Sequence, residues 1–165
     1  MIRRLLILGA AALVPALAHA QDNGSAHVFD RFWKICSAAV DDKPELESIA
    51  TSSGFKGPNG AMMAMTVGRQ SIRPMMADDN KQTINVIVTK YDDAREIECM
   101  SINPTPTPRA DLELAIAPLS LDGGFTPVPG QTIGRWKRHG LPFVLITATS
   151  TSGSTVLTMR RIDTQ

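Results

Sequence analysis

Side chains suited to acid–base or nucleophilic catalysis are scarce in this sequence. Its three histidines are His19, His27 and His139, and Tyr91 is its one tyrosine. Most hydrolytic and group-transfer reactions need a base that titrates near neutral pH, usually histidine. His139 falls in a predicted turn between strands and His27 in a predicted first helical turn, both typical surface positions. No Gly-x-Ser-x-Gly motif occurs. The sequence therefore weighs against an enzyme and assigns no catalytic residue.

Three pairs of adjacent aspartates are the densest acidic features: Asp41-Asp42, Asp78-Asp79 and Asp92-Asp93. A calcium loop needs oxygen ligands at alternating positions with a glycine and a distant glutamate, which none of the pairs provides. All three flank predicted helix starts or turns, where aspartate caps backbone amides. The pairs therefore predict turns, and no metal site is assigned. Carboxylate pairs of glycosidases leave no local motif, so a cell-envelope hydrolase or lyase that combines carboxylates with His139 or an arginine remains an alternative.

Methionine is concentrated in residues 62–76. Exported proteins that carry copper(I) use clustered thioethers, because soft sulfur suits a soft ion. Met63 and Met65 would point the same way on a strand, and Met75-Met76 would close over them from a loop. No histidine lies nearby to complete a site, and methionine also fills irregular cores. Copper(I) binding is therefore a second alternative, carried by Met62, Met63, Met65, Met75 and Met76.

One dense basic run occurs, Arg135-Trp136-Lys137-Arg138-His139. On a strand, Trp136 and Arg138 share one face while Arg135 and Lys137 share the other. A positive patch beside an aromatic ring could bind an anionic ligand, a lipid head group or a protein partner. A core tryptophan flanked by cations whose charged ends reach solvent gives the same pattern. The run is therefore a candidate binding patch with a structural alternative.

The first twenty residues have the three parts of an export signal. Arg3 and Arg4 supply the positive start, and residues 5–17 are uncharged and apolar, interrupted by one glycine and one proline. Ala18-His19-Ala20 then offers small residues to a signal peptidase. We expect cleavage after Ala20, with residues 21–165 forming one domain in the periplasm or outside the cell.

Cys36 and Cys99 are the two cysteines, and both follow the predicted leader. In an oxidising compartment an even pair usually bonds. Each also occupies a core-facing position, Cys36 on a helix with Phe32 and Cys99 on a strand with Ile97. Two separate buried thiols are the alternative. We predict a Cys36–Cys99 disulfide, which closes a loop of about 63 residues and contributes about 4 kcal/mol in the chain-entropy model.

Charge and hydropathy argue against two classes of function. The 165 residues include 17 Lys and Arg against 16 Asp and Glu, a net charge of +1 that becomes −1 without the leader's two arginines. Nucleic-acid binding needs a marked basic excess. No second apolar run approaches the roughly 18 residues that cross a bilayer. We therefore expect neither a nucleic-acid partner nor a membrane span.

The spacing of apolar residues predicts an α+β fold. Successive strands are joined by turns more often than by helices, which favours a mostly antiparallel sheet of about five to six strands. Two N-terminal helices and one mid-chain helix pack on that sheet. Asp42 and Thr107 are the predicted N-caps of the second and third helices. The predicted helices are residues 25–40, 42–54 and 108–118. The predicted strands are residues 61–72, 83–91, 95–102, 132–138, 141–149 and 154–162, with loops at 74–81 and 121–131.

The layout resembles that of small secreted or periplasmic single-disulfide proteins of Gram-negative bacteria. In these a leader precedes a helix with the pattern Phe-x-x-x-Cys, here Phe32 to Cys36, and a second cysteine follows on a mid-chain strand, here Cys99. The resemblance covers most of the chain and implies no activity. Because catalytic residue types are scarce, we expect a non-enzymatic binding or interaction module without a cofactor, whose partner is an envelope component, a protein or a small ligand.

Overall fold

Nine strands, three α-helices and one 3₁₀ helix (Ala117–Leu119) make up the computed structural model, which describes residues 24–60, 62–79, 81–139 and 144–164. The predicted leader, residues 1–20, and residues 141–143 of a predicted strand lie outside that description. The helices are α1 (Gly24–Val40), α2 (Leu46–Ser52) and α3 (Arg109–Ile116). The strands are β1 (Phe55–Lys56), β2 (Met65–Val67), β3 (Gln70–Ala77), β4 (Thr83–Lys90), β5 (Ala94–Asn103), β6 (Asp122–Val128), β7 (Gln131–Arg138), β8 (Val144–Ser150) and β9 (Thr155–Thr164).

The strands form one antiparallel sheet in the order β1-β3-β4-β5-β9-β8-β7-β6, with β2 also pairing with β3. The α+β class and the mostly antiparallel sheet are therefore confirmed. The expected number of five to six strands is wrong, because the described residues form nine. The three strands beyond the six predicted, β1, β2 and β6, are short or lie at an edge of the sheet.

The longest helix, α1, packs on the middle of the sheet, where it contacts β4, β5 and β9. Its apolar stripe includes Phe29, Phe32 and Ile35, which are buried, while Asp30 and Lys34 form an exposed ion pair of 2.8 Å on the other side. This amphipathic spacing is what lets a helix cover a sheet face. The helix is also bonded to the sheet through Cys36 and Cys99, whose Cα atoms are 5.3 Å apart. The predicted disulfide is confirmed.

The region predicted as one strand, residues 61–72, instead contains a hairpin. Val67 pairs with Gln70, so a two-residue turn at Gly68-Arg69 reverses the chain, and Gly68 has a φ of +59° that L side chains disfavour. The strand β3 then runs through Pro74, where a loop was expected. On the outer edge of β3, β2 covers residues 70–72 and β1 covers residues 76–77. Proline is tolerated because it falls in the gap between those two partners.

The region predicted as a loop, residues 121–131, contains the edge strand β6. Gly123, Gly124 and Pro127 made the segment look irregular, since these residues weaken a central strand. An edge strand has one neighbour, so it tolerates them. Gly123 is also required there, because a Cβ on it would lie 2.1 Å from the carbonyl oxygen of Arg135 on β7.

Two predicted helix caps were wrong. Asp42 lies three residues before Glu45, which is the N-cap of α2, and it belongs to the turn that ends α1. Pro108, not Thr107, is the N-cap of α3. Thr107 is buried, and its backbone amide donates to the hydroxyl of Thr155 on β9 at 2.6 Å. Thr107 is thus held by a tertiary contact of its backbone, before the helix begins.

Trp136 on β7 fills the part of the core farthest from β3. Its ring meets Phe125 on β6 edge-on, with 4.9 Å between ring centroids, and its exposed fraction is 5%. The indole lies over Gly134, because a Cβ at that glycine would come within 2.0 Å of the ring. Glycine therefore provides the space that the indole needs.

We expect Gly134→Ala to lower the free energy of unfolding by about 1–3 kcal/mol, the usual cost of overpacking a core. Urea denaturation measures the change. Gly124→Ala on β6 is the matched control, since no atom lies within 4 Å of its added methyl group. Equal effects of the two substitutions would contradict this account of Trp136.

We also expect the double variant Cys36→Ala and Cys99→Ala to lose about 4 kcal/mol of stability, because the unfolded chain regains the entropy of a long loop. Urea denaturation of the oxidised protein gives the reference value. Wild-type protein unfolded in the presence of a reductant should match the double variant. A wild-type curve that does not respond to the reductant would show that the disulfide is absent.

Candidate functional site

The C-terminal turn of α1 forms one wall of the site. The amide of Lys43 donates to the carbonyl of Ala38 at 2.9 Å, and the amide of Asp42 donates to the carbonyl of Ala39 at 3.1 Å. This pair of bonds defines a Schellman motif, whose left-handed position usually holds glycine. Here Asp42 occupies it with a φ of +55°. The turn therefore holds a non-glycine residue in a strained, left-handed backbone conformation.

Arginines from the sheet hold the two aspartates of that turn. Arg95 on β5 donates to both carboxylate oxygens of Asp42, at 2.7 and 3.1 Å. Arg138 on β7 does the same for Asp41, at 2.6 and 3.2 Å. Bidentate arginine–carboxylate pairs fix geometry as well as charge. The side chains of Arg138 and Asp41 are more buried than those of the Arg95 pair.

A third arginine, Arg161 on β9, donates to the backbone carbonyl of Val40 and also pairs with Asp163. The last carbonyls of a helix carry partial negative charge, which cations stabilise. The last turn of α1 has no basic residue of its own. Three strands therefore supply the cations that the end of the helix lacks.

Beside this turn lies a cavity of about 300 Å³, which we call the arginine pocket. Its floor is the inner face of β3, β4 and β5, and its walls come from the turn between α1 and α2 and from the segment before β2. It is lined by Ala39, Asp42, Lys43, Pro44, Leu46, Ala64, Ser71, Arg73, Val86, Val88 and Arg95. Pockets of this size are at the lower end of the range for small-molecule sites.

Two cations of this pocket have no partner for their charged groups among the described residues, Arg73 and the exposed Lys43. Arg73 is half-buried on β3, opposite Val86 on β4, and its guanidinium makes neither an ion pair nor a hydrogen bond within the described part of the chain. The pocket lining contains three cationic side chains, Arg73, Arg95 and Lys43, against one carboxylate, Asp42. The lining of the pocket therefore has a net charge of +2.

This arrangement is suited to binding an oxyanion. A guanidinium presents a planar set of donors that matches carboxylate and phosphate oxygens. Val86 and Val88 form an apolar floor, and attraction between charges is stronger where water is partly excluded. Arg95 is held by Asp42 and contributes a positioned charge, whereas Arg73 has donors available for a ligand.

The basic run predicted as a binding patch is divided between the two faces of the sheet. Trp136 is in the core, and Arg138 is occupied by its ion pair with the C-terminal turn of α1. Arg135 and Lys137 lie on the opposite face, as the alternation along β7 predicted. His139 is exposed just after β7. It lines neither the arginine pocket nor any of three other cavities formed by the described residues. Binding by this run stays a prediction.

The methionines of residues 62–76 are also separated. Met62 and Met75 are buried in the core, while Met63, Met65 and Met76 are exposed. Met75 and Met76 belong to β3 rather than to a closing loop, so they point to opposite faces. The β3 residue that pairs with Met65 is four residues from Met76, about 13 Å along the strand. The described methionine side chains therefore do not form one cluster, and copper(I) binding stays a prediction.

Sequence reasoning missed Arg73 because it placed that residue between a strand and a loop. Once the turn at residues 68–69 is recognised, alternation along β3 puts Ser71, Arg73 and Met75 on the same face, towards the core. A charged residue between two inward positions is the signal that would have indicated a site. Its meeting with Arg95 could not be read from the sequence, since it depends on strand pairing.

Comparison of the chain with known protein families, curated proteins and solved structures found no match. The described residues contain no group of three or more His, Cys, Asp or Glu side chains placed to hold a metal ion. None of their helices is long and apolar enough to span a bilayer. The geometry of the arginine pocket therefore carries the functional argument.

The Arg95–Asp42 pair makes a prediction about pH. The hydrogen bonds from Arg95 hold the pKa of Asp42 below its ordinary value of 3.8. Stability from this carboxylate is therefore present above about pH 3.8 and is lost as the pH falls through the lower folded-state pKa. We expect Asp42→Asn to cost about 0.5 kcal/mol at neutral pH, the size usual for exposed ion pairs, and to cost less at each step below pH 3.8.

Urea denaturation between pH 7 and pH 2.5 measures this difference. Asparagine tolerates the left-handed turn, so the substitution changes the charge and keeps the backbone. Asp93→Asn is the control, since Asp93 is exposed and its carboxylate makes no ion pair with the described residues. A difference between wild type and Asp42→Asn that grows as the pH falls would contradict the assignment.

Proposed function

We propose that this chain is an exported, non-enzymatic binding protein whose arginine pocket takes the carboxylate or phosphate group of a small ligand. The observation that carries the proposal is Arg73, a half-buried guanidinium without a partner among the described residues, in a pocket with two more cations. Such a cation in a cleft is a candidate for recognising an anion. The leader predicted from the sequence supports export, and the disulfide is consistent with an oxidising compartment.

The contents of the pocket favour binding over catalysis. Hydrolysis needs a group that can accept and return a proton near neutral pH. The one carboxylate lining the pocket, Asp42, is already paired with Arg95, and no histidine is among the lining residues. A carboxylate locked against an arginine is a poor base, because the arginine stabilises its ionised form. The hydrolase or lyase alternative gains no support from this site.

The volume limits the size of the ligand. About 300 Å³ accommodates one small anion, or the anionic end of a larger molecule. The apolar floor of Val86 and Val88 favours a ligand with a short hydrocarbon portion next to its anionic group. We therefore expect small organic acids and phosphate esters to bind better than inorganic ions of the same charge.

Isothermal titration calorimetry with inorganic phosphate, pyrophosphate, succinate and glycerol phosphate tests the proposal. We expect at least one of the organic anions to bind, with Arg73→Gln weakening the affinity by about 10- to 100-fold, because charged hydrogen bonds contribute roughly 1.5–3 kcal/mol. Arg135→Gln, on the opposite face of the sheet, is the matched control and should leave the affinity unchanged. Equal losses in the two variants, or no binding of any of the four anions, would refute the site.

A further inference from the structure

One face of the sheet is left without a helix by the described residues, and we call it the open face. The buried apolar side chains of β3, β4, β5, β7, β8 and β9 all project from the other face, where α1 is bonded to Cys99. Alternation places the intervening residues on the open face. The largest apolar members in its middle are Ile72, Ile87, Met100, Ile102, Leu145 and Ile133.

The open face carries apolar as well as polar side chains. An antiparallel sheet with one covered face normally alternates apolar residues inward with polar residues outward. Here each of the strands β3, β4, β5, β9, β8 and β7 has at least one aliphatic or thioether side chain at an outward position. At the margin, Met65 is 56% and Met76 38% exposed. Polar side chains lie between the apolar ones, among them Asn85, Thr147 and Thr158. A mixed surface of this kind has the composition of a reversible protein interface.

The charges on the open face are separated into two ends. On β5, Glu96 and Glu98 project side by side, and Arg160 on β9 pairs with Glu96 at 2.5 Å. Glu98 makes no ion pair or hydrogen bond through its carboxylate with the described residues. This end therefore carries an excess of one negative charge.

The opposite end, on β7, carries Arg135 and Lys137. Asp122 on β6 lies across from Lys137 in the sheet, which leaves an excess of one positive charge. Arg135 is exposed and makes no ion pair within the described part of the chain. The strands β9 and β8 lie between the two ends, so the acidic and basic strands are at equal distances from the line that separates β9 from β8.

From this arrangement we infer that two copies of the chain pack open face against open face, about a two-fold axis that runs along the strands between β9 and β8. A two-fold axis makes an interface self-complementary, because each surface patch meets its symmetry-related counterpart. This axis sets β5 of one copy over β7 of the other. The strand register puts Glu98 and Lys137 in one row across the sheet, so Glu98 then lies opposite Lys137 of the partner subunit. Arg135 of the partner subunit is the next outward residue along the same strand.

The charge pattern selects this axis over its alternative. An axis in the interface but across the strands would set β5 over β5 and β7 over β7, which brings like charges together. Like charges brought together in an interface oppose association. The axis along the strands instead forms two equivalent acid–base contacts, one on each side.

The open face is large enough for a stable dimer. Six strands at about 4.8 Å spacing and about seven residues at 3.3 Å give a flat area of about 650 Å². Stable interfaces bury about 800 Å² of accessible surface on each partner, and the accessible surface of side chains exceeds their flat projection. The arginine pocket lies on the covered side of the sheet, so the inference is independent of the proposed function.

Size-exclusion chromatography with light scattering, over a range of protein concentrations, tests the dimer. We expect a concentration-dependent dimer for the wild type. Glu98→Lys and Arg135→Glu should each weaken association at least tenfold, because each places two like-charge contacts in the interface. The combined Glu98→Lys and Arg135→Glu variant should restore association to within about threefold of the wild type, because the charges are then exchanged.

Glu47→Lys on the exposed side of α2 is the control for a general effect of charge and should leave the dimer unchanged. Near-ultraviolet circular dichroism of each variant checks that the fold is retained. A monomeric wild type, single variants that associate as well as the wild type, or a combined variant without recovery would each overturn the inference. Titration of the same variants with the anions above tests the arginine pocket separately.

Discussion

The attachment of α1 to the sheet is the constraint on which the other features depend. A disulfide to β5 fixes the C-terminal half of the helix, and arginines from β5, β7 and β9 hold its C-terminal turn. That turn combines the negative end of the helix dipole with two adjacent aspartates. Without the cations from the sheet it would be a concentration of negative charge beside a hydrophobic core. Their positions therefore determine where the helix ends and how it is oriented.

The end of α1 also determines where the arginine pocket can form. The chain turns into α2 at Lys43 and leaves the inner face of β3 and β4 uncovered at that corner. Arg95 is neutralised there by Asp42, whereas Arg73, on the neighbouring edge of the sheet, is not. The turn from α1 into α2 thus pairs one arginine of the pocket and leaves Arg73 able to bind an anionic ligand. The same packing leaves the opposite face of the sheet uncovered, with its acidic and basic ends on different strands.

Features that depend on short-range patterns were predicted from the sequence. The hairpin of β4 and β5 follows from alternating apolar residues around a short turn, and α1 follows from its helical spacing. Errors arose where one residue type serves two structures. The predicted strand extends past Gly68, although the alternation of Met63, Met65 and Val67 stops before that glycine, and so the turn there is missed. The glycines and proline of β6 predict a loop, although an edge strand also accommodates these residues.

Local patterns were enough to predict the α+β class, the antiparallel sheet and the Cys36–Cys99 disulfide, because these follow from periodicity within a few residues and from the number of thiols. The tertiary structure alone decided the strand order, the two faces and the arginine pocket. Asp42 and Arg95 are 53 residues apart, and Asp41 and Arg138 are 97 apart. Contacts over such separations depend on which strands become neighbours, and that is settled by the packing of the whole chain rather than by any local pattern.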